Sequence, residues 1–225
     1  FNKKTVFLLS LINFLLYIKK NEKIGRMLLK SLVSLGPGFI KLGQALSTRP
    51  DLIGINTCED LKKLQDDIEP FPGAIAKKII ESETKDIINN IFASFEEKPV
   101  ASASVAQVHK GILKSGETVA IKILRPNIEK LLFNDFHFFY WGAKCIEFFV
   151  PNAKRFNFSK NVEVLSEVSL NELDLTMEAA AAEELYENFK DNINYRVPRI
   201  NWKITSRKIL IMEYVYGVRI DDLVS

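Results

Sequence analysis

Apolar positions first gather at residues 6–18, "VFLLSLINFLLYI", bracketed by Lys3-Lys4 and Lys19-Lys20. As a helix this run is about 20 Å long, short of the roughly 30 Å hydrocarbon core of a bilayer, so it is too short to cross one. It suits an interface or a partner surface slightly better than plain core burial, and no small-residue cleavage site follows it. Residues 24–48 repeat apolar positions at helical spacing until Gly36-Pro37-Gly38 interrupts them, which predicts two helices and a turn. A polar helix is predicted over 56–69. Phe71-Pro72-Gly73 starts another at 74–81, and 83–95 reads as a short helix or turn. From 98 to 123 the period changes to that of β structure: "PVASASVAQVHKGIL" and "ETVAIKIL" flank the turn Lys114-Ser115-Gly116. Arg125-Pro126-Asn127 ends this hairpin. Residues 127–150 form an aromatic helix, and 159–190 read as one long helix with an Ala-rich centre, "MEAAAAEEL". "YRVPRINWKIT" and "RKILIMEYVYG" read as two closing strands around Ser206-Arg207-Lys208. The order helices, hairpin, helices, hairpin gives an α+β fold.

The helix at 127–150 carries Phe133, Phe136, Phe138, Phe139, Tyr140, Trp141, Phe148 and Phe149, too many for one buried stripe. A core helix with a partner on each side is the ordinary explanation; a face turned to a membrane is the sharper one. Charge points the same way. Residues 1–50 hold nine Lys or Arg against one acid, Glu22, whereas the rest is mildly acidic. A basic, apolar leading segment on an acidic body suits an anionic membrane surface. No basic run is interleaved with aromatic residues, which argues against nucleic acid. The two cysteines, Cys58 and Cys145, stand alone and the histidines number two, so a zinc site is not expected.

The chemistry gathers around "VASASVAQVH", Val100 to His109. Ala101-x-Ala103-x-x-Ala106-x-Val108 has the spacing of a glycine-rich phosphate loop with alanine at each glycine position. Fourteen residues after Val108, Lys122 closes the Val119-Ala120-Ile121-Lys122 of a kinase-type strand. Small residues in a strand, or a lysine on one, mean little separately; in this order across a hairpin they point to nucleotide binding. A kinase lysine needs a carboxylate from a following helix to hold it toward phosphate, and "NELDLTMEAAAAEEL" offers Glu172, Asp174 and Glu178. On one continuous helix Asp174 and Glu178 lie about 40° apart, and Glu172 about 120° from Glu178. Glu178 would then face Lys122 and Glu172 another base. A solvated acidic face is the usual fate of such a cluster; Lys122 upstream reverses the preference. Met212-Glu213-Tyr214-Val215 and Gly217 have the form of a gatekeeper and hinge, whose backbone at Glu213 and Val215 would meet an adenine edge.

With these residues in place, the chain resembles the UbiB family of atypical protein-kinase-like proteins, associated with ubiquinone biosynthesis, over residues 20–225. The resemblance rests on Lys41-Leu42-Gly43-Gln44 (the K-x-G-Q marker), on "ASASVAQVH" and on Glu172-Leu173-Asp174 (E-x-D). It implies a kinase-like N-lobe, an antiparallel sheet with helices, preceded by a helical extension, with the domains running 1–20, 21–95 and 96–225. It implies that the helix of Lys41, Gly43 and Gln44 folds over a protein-substrate site. It pairs Lys41 with Glu172 and Lys122 with Glu178. It makes Val100, Ala101, Ser102, Ala103, Ser104, Val105, Ala106, Gln107 and Val108 the loop over the phosphates, with Ala103 the position where glycine would alter nucleotide behaviour. Alanine stiffens such a loop, and its methyl limits how N–H groups wrap phosphate. The site is therefore expected to serve ATP hydrolysis or small-molecule chemistry rather than protein phosphorylation.

The cofactor implied is ATP with Mg²⁺. The family's catalytic and metal-binding Asp belong to a C-lobe after the hinge, and the sequence runs only eight residues past Gly217. The chain is accordingly read as an N-terminal fragment, inactive alone, for which a separate chain could supply the C-lobe. Expected partners are an anionic membrane surface and isoprenoid quinone precursors or quinone-biosynthesis proteins, at the cytoplasmic face of a bacterial inner membrane. A reading of another class is a non-catalytic membrane- or lipid-binding scaffold.

Overall fold

The computed structural model describes residues 23–64 and 68–218, so the apolar run at 6–18 lies outside the described part. The described residues form two compact units whose segments alternate along the chain. One takes in the residues up to Glu69, Ser102–Val105 and Asn127–Leu173; the other takes in Pro70–Ala101, Ala106–Pro126 and the residues from Asp174 on. Residues 70–95, grouped by the sequence with the helical extension, thus cluster with the sheet, and 127–173 cluster with the helices.

The sheet unit is built on β1 (Phe92–Phe95), β2 (Ala101–Ser102), β3 (Ala106–Leu113), β4 (Thr118–Leu124) and β5 (Ile209–Glu213). The strand order is β1-β3-β4-β5 with β2 beside β3, and the main ladders are antiparallel. Gly116 has φ +93° at the β3–β4 turn, where a side chain would be strained. Period two along β4 buries Val119, Ile121 and Ile123 on one face. There they meet Ala76 and Ile80 of α5 (Gly73–Thr84), together with Ile88 and Phe92. Each large aliphatic side chain buried here contributes about 1.5–3 kcal/mol. β1 falls inside the segment expected to be a helix or turn. The helical parts there are the end of α5 and the short α6 (Ile88–Ile91), because Phe92 is drawn into the sheet core and its strand pairs with β3.

"YRVPRINWKIT" is not a regular strand. Only Ile200 bridges to Met212, with Asn201 N–H donating to Ile211 O and Glu213 N–H to Arg199 O. Turns take up the rest, since Ile204 N–H and Thr205 N–H both return to Asn201 O. Ser206 Oγ and Lys208 Nζ donate to the Glu83 carboxylate, each at 2.9 Å, tying the end of α5 to the approach of β5. Burial works to raise the Glu83 carboxyl, but these two bonds and the Lys208 charge hold it below the usual carboxylate range.

The helical unit contains α1 (Lys23–Leu35), α2 (Pro37–Ser47), α3 (Pro50–Ile53) and α4 (Ile55–Lys62), then α7 (Ile128–Phe149), a 3₁₀ turn at Ala153–Phe156 and α8 (Phe158–Asn171). The break between α1 and α2 falls at Gly36, whose φ of +117° needs glycine, with Pro37 opening the next helix. The N–H of Gly38, which has no partner within its helix, donates to the buried Asp135 carboxylate of α7 at 3.1 Å. The aromatic helix buries one stripe, Leu132, Phe136, Phe139 and Ala143, and Phe39 of α2 meets Phe139 edge-on with centroids 4.7 Å apart. Phe133, Trp141, Phe148 and Phe149 lie on exposed positions.

The expected long helix over 159–190 is two helices, α8 and α9 (Leu175–Phe189), parted at Glu172-Leu173-Asp174. Asp174 caps α9 by accepting from Thr176 N–H at 3.1 Å, and buried Leu173 turns the chain inward. The angles computed for one continuous helix therefore do not apply.

Candidate nucleotide site

Because Val119, Ile121 and Ile123 fill the core face of β4, Ala120 and Lys122 project from the opposite face. Lys122 Nζ donates to both carboxylate oxygens of Glu178, at 2.9 and 2.6 Å. Glu178 occupies the first turn of α9, and two anchors set its phase. Asp174 caps the helix, and Leu175 N–H donates to Arg207 O at 3.0 Å while its side chain is fully buried. The Thr176 hydroxyl, above all, lowers the Asp174 carboxyl, so the cap is ionised and suited to a helix N-terminus. A two-oxygen grip on an ammonium presents its remaining proton outward, where a phosphate oxygen can accept it.

Val100 N–H donates to Val108 O at 2.8 Å, closing the base of the Ala101–Gln107 loop. Val108 faces Lys122 in the β3–β4 register, and Ala120 faces Met212 across β4–β5. Ser104, Val105 and Ala106 are buried. The side chain of Gln107, placed in the loop by the motif, turns into the sheet unit: Oε1 accepts Phe71 N–H at 3.0 Å and Nε2 donates to Phe71 O at 3.1 Å. Gln107 Nε2 also lies 2.7 Å from His109 Nε2, and His109 Nδ1 lies 2.8 Å from Glu96 O. No spacing in the sequence announced this buried latch.

The hinge segment leaves the sheet at Glu213, whose carboxylate pairs with Arg196, and Val215 follows on an exposed position outside the strand. A cleft of about 1030 Å³ adjoins it, walled by Tyr186, Phe189, Tyr195, Trp202 and Tyr214. Of the expected gatekeeper and hinge, Met212, Glu213 and Tyr214 line this cleft; Val215, Lys122 and the alanine loop do not. The same cleft is also lined by the cations Lys190, Arg196, Arg199 and Lys203.

In the helical unit, Lys41 of α2 donates to Glu172, which caps the end of α8. Gln44, one turn on, donates to Leu64 O at 3.0 Å, and Gly43 is buried, with Leu32 and Leu64 where a side chain would stand. Each acid of the E-x-D stretch thus ends or begins a helix, Glu172 turned to Lys41 and Asp174 closing α9. Among the described residues no cluster of three or more His, Cys, Asp or Glu is placed to hold a metal ion.

The ABC1 atypical kinase-like domain family matches residues 63–225. The probable protein kinase UbiB of Pseudomonas paraeruginosa is 41% identical over 199 residues, covering 88% of this chain and 37% of that protein. That of Cellvibrio japonicus is 38% identical over 215 residues, covering 96% and 39%. The chain therefore spans less than half the length of these curated relatives. Among solved structures, Rv3197 of Mycobacterium tuberculosis, determined in complex with erythromycin, matches with a TM-score of 0.56 and 28% identity. The match covers 66% of this chain and 37% of that one. The antiparallel sheet, the paired lysine and glutamate and these matches agree: the chain belongs to the UbiB family of ABC1 atypical kinase-like proteins.

Proposed function

We propose that this chain is the ATP-binding N-terminal part of an atypical kinase or ATPase that supports ubiquinone biosynthesis at a membrane surface. The observation that carries the reading is the Lys122–Glu178 pair, formed between β4 and α9 across 56 residues of sequence. A pair this exposed adds little to folding, at most about 1 kcal/mol, so its bidentate geometry fits a positioning task better than a structural one. Lys122 would meet the α- and β-phosphates, Glu178 would hold its ammonium in place, and the backbone at Glu213 and Val215 would meet the adenine edge. The Val100–Val108 loop would lie over the phosphates, with alanine limiting its flexibility. Mg²⁺ would accompany the nucleotide and neutralise phosphate charge; the resemblance assigns its ligands to the lobe after the hinge. The membrane setting draws on the family resemblance and the basic leading segment; no helix among the described residues is long and apolar enough to cross a bilayer.

The test is a titration of the chain with a fluorescent ATP analogue and Mg²⁺, beside Lys122→Ala. The variant should bind about tenfold more weakly or worse, as expected for loss of a charge-assisted contact to phosphate. Equal affinity in the two proteins would overturn the reading.

A further inference from the structure

The end of the α7–α8 hairpin gathers exposed aromatic side chains beside exposed cations. Phe148 and Phe149 close α7 at 78% and 75% exposure, and Val150 and Phe156 follow at 50% and 53%. Phe148 and Phe149 stack edge-on at 4.9 Å, and Arg155 covers the Phe156 ring at 4.7 Å. Of the four cations between Lys144 and Lys160, Lys144 lies 3.9 Å from Glu147 and Lys160 pairs with Glu163 at 3.1 Å, while Lys154 and Arg155 stand exposed between them. Besides facing Lys144, Glu147 accepts from Ser159 N–H at 2.8 Å and Ser159 Oγ at 3.0 Å. The Ser159 bond, more than any other influence, holds its carboxyl below the usual range. This latch joins the end of α7 to the start of α8, and Asn152 and Asn157, both at positive φ, shape the turn between them. The aromatic tip is thus a braced corner that presents cations outward.

We propose that this tip inserts into the headgroup region of an anionic lipid bilayer, with the aromatic rings at the acyl boundary and Lys154 and Arg155 against lipid phosphates. Exposed rings beside cations match such a surface in both polarity and charge, whereas a second copy of the same cationic tip would repel it. Trp141 lies two turns before Phe148 on the same face of α7, where an indole sits at the membrane–water boundary. The inference rests on the membrane part of the proposed function and is independent of nucleotide binding.

The experiment uses the full chain with vesicles of phosphatidylcholine alone and of phosphatidylcholine mixed with phosphatidylglycerol. Binding to the mixed vesicles is expected, with a loss of about tenfold or more in Phe148→Ser/Phe149→Ser and in Lys154→Glu/Arg155→Glu. All four positions are exposed, so circular dichroism should show both variants folded. In a Trp202→Phe chain Trp141 is the remaining tryptophan, and brominated lipid should quench it. If both variants bind as well as the parent, or Trp141 is not quenched, the tip assignment is overturned while the membrane setting survives. If the parent binds no vesicle, the tip and the membrane setting both fall. If the parent self-associates without lipid and Phe148→Ser/Phe149→Ser does not, the tip is an interface between copies, and the lipid assignment is overturned. Nucleotide affinity stays measurable in every arm.

Discussion

Lys122 and Glu178 meet through two hydrogen bonds of 2.9 and 2.6 Å, although 56 residues separate them. Their side chains are 26% and 47% exposed. Solvent at that level screens the attraction, so the pair is worth at most about 1 kcal/mol to the fold, and its effects on ligand and on folding should be separable.

Glu178→Gln should therefore lower affinity for the ATP analogue by several-fold to about tenfold, because the amide no longer holds the ammonium by charge. Its urea midpoint should correspond to a stability change within about 1 kcal/mol. A large loss of stability with affinity retained would make the pair a folding element.

The sequence showed which residues pair but not the backbone that brings them together. Lys122 was legible because a strand lysine, an alanine loop at the right distance and a downstream carboxylate form an ordered pattern. The two-helix division at Gly36-Pro37 was legible because proline and a positive-φ glycine leave few alternatives. The break at Glu172–Asp174 was not, because Asp174 reads equally as an interior acid and as a cap, and only burial of Leu173 and Leu175 decides. Likewise "YRVPRINWKIT" has strand composition, but turns around Asn201 intervene and leave one bridge to β5. The Gln107–His109–Phe71 latch was hidden because it joins residues of no shared motif. Within the loop itself, the alternation of Gln107 and His109 toward the core belongs to strand β3, not to the phosphate pattern.

Asp174→Ala should cost about 1 kcal/mol of stability, within a range of roughly 0.5–2, because Thr176 N–H loses its acceptor and α9 loses a negative charge at its start. Because the cap also sets the phase of Glu178, nucleotide affinity should fall in the same variant. Chemical denaturation and the fluorescent titration check the two effects. Unchanged stability would remove the cap from the account of this helix break.

Gly43→Ala tests whether the marker glycine is a packing requirement. Inside a helix, alanine is normally favoured over glycine by about 1 kcal/mol. Here the added methyl would collide with the side chains of Leu32 and Leu64, both fully buried and unable to swing into solvent. Overpacking of this kind costs about 1–3 kcal/mol, so the net sign should be destabilising. A thermal midpoint equal to or above the parent's would refute the close approach of these helices.

His109 should make the sheet unit sensitive to mild acid. Gln107 Oε1 accepts from Phe71 N–H, so Gln107 Nε2 must be the donor toward His109 Nε2, and the histidine carries its proton on Nδ1, donated to Glu96 O. Protonating Nε2 would set two donors face to face in a fully buried site. Burial is the leading cause that holds His109 below its ordinary value of 6.5, outweighing the opposing hydrogen bond to the Glu96 carbonyl. The unfolded chain therefore takes up this proton more readily than the folded one. Stability contributed by neutral His109 is complete above about pH 6.5 and is lost as pH falls from there toward the folded-state value. Urea midpoints at pH 7 and pH 5 should show that decline in the parent chain and a smaller one in His109→Asn. The lowered carboxylates Glu83, Glu147 and Asp174 should contribute only further into acid, since their ordinary values are 4.5, 4.5 and 3.8. Equal declines in parent and variant would assign the sensitivity to groups other than His109.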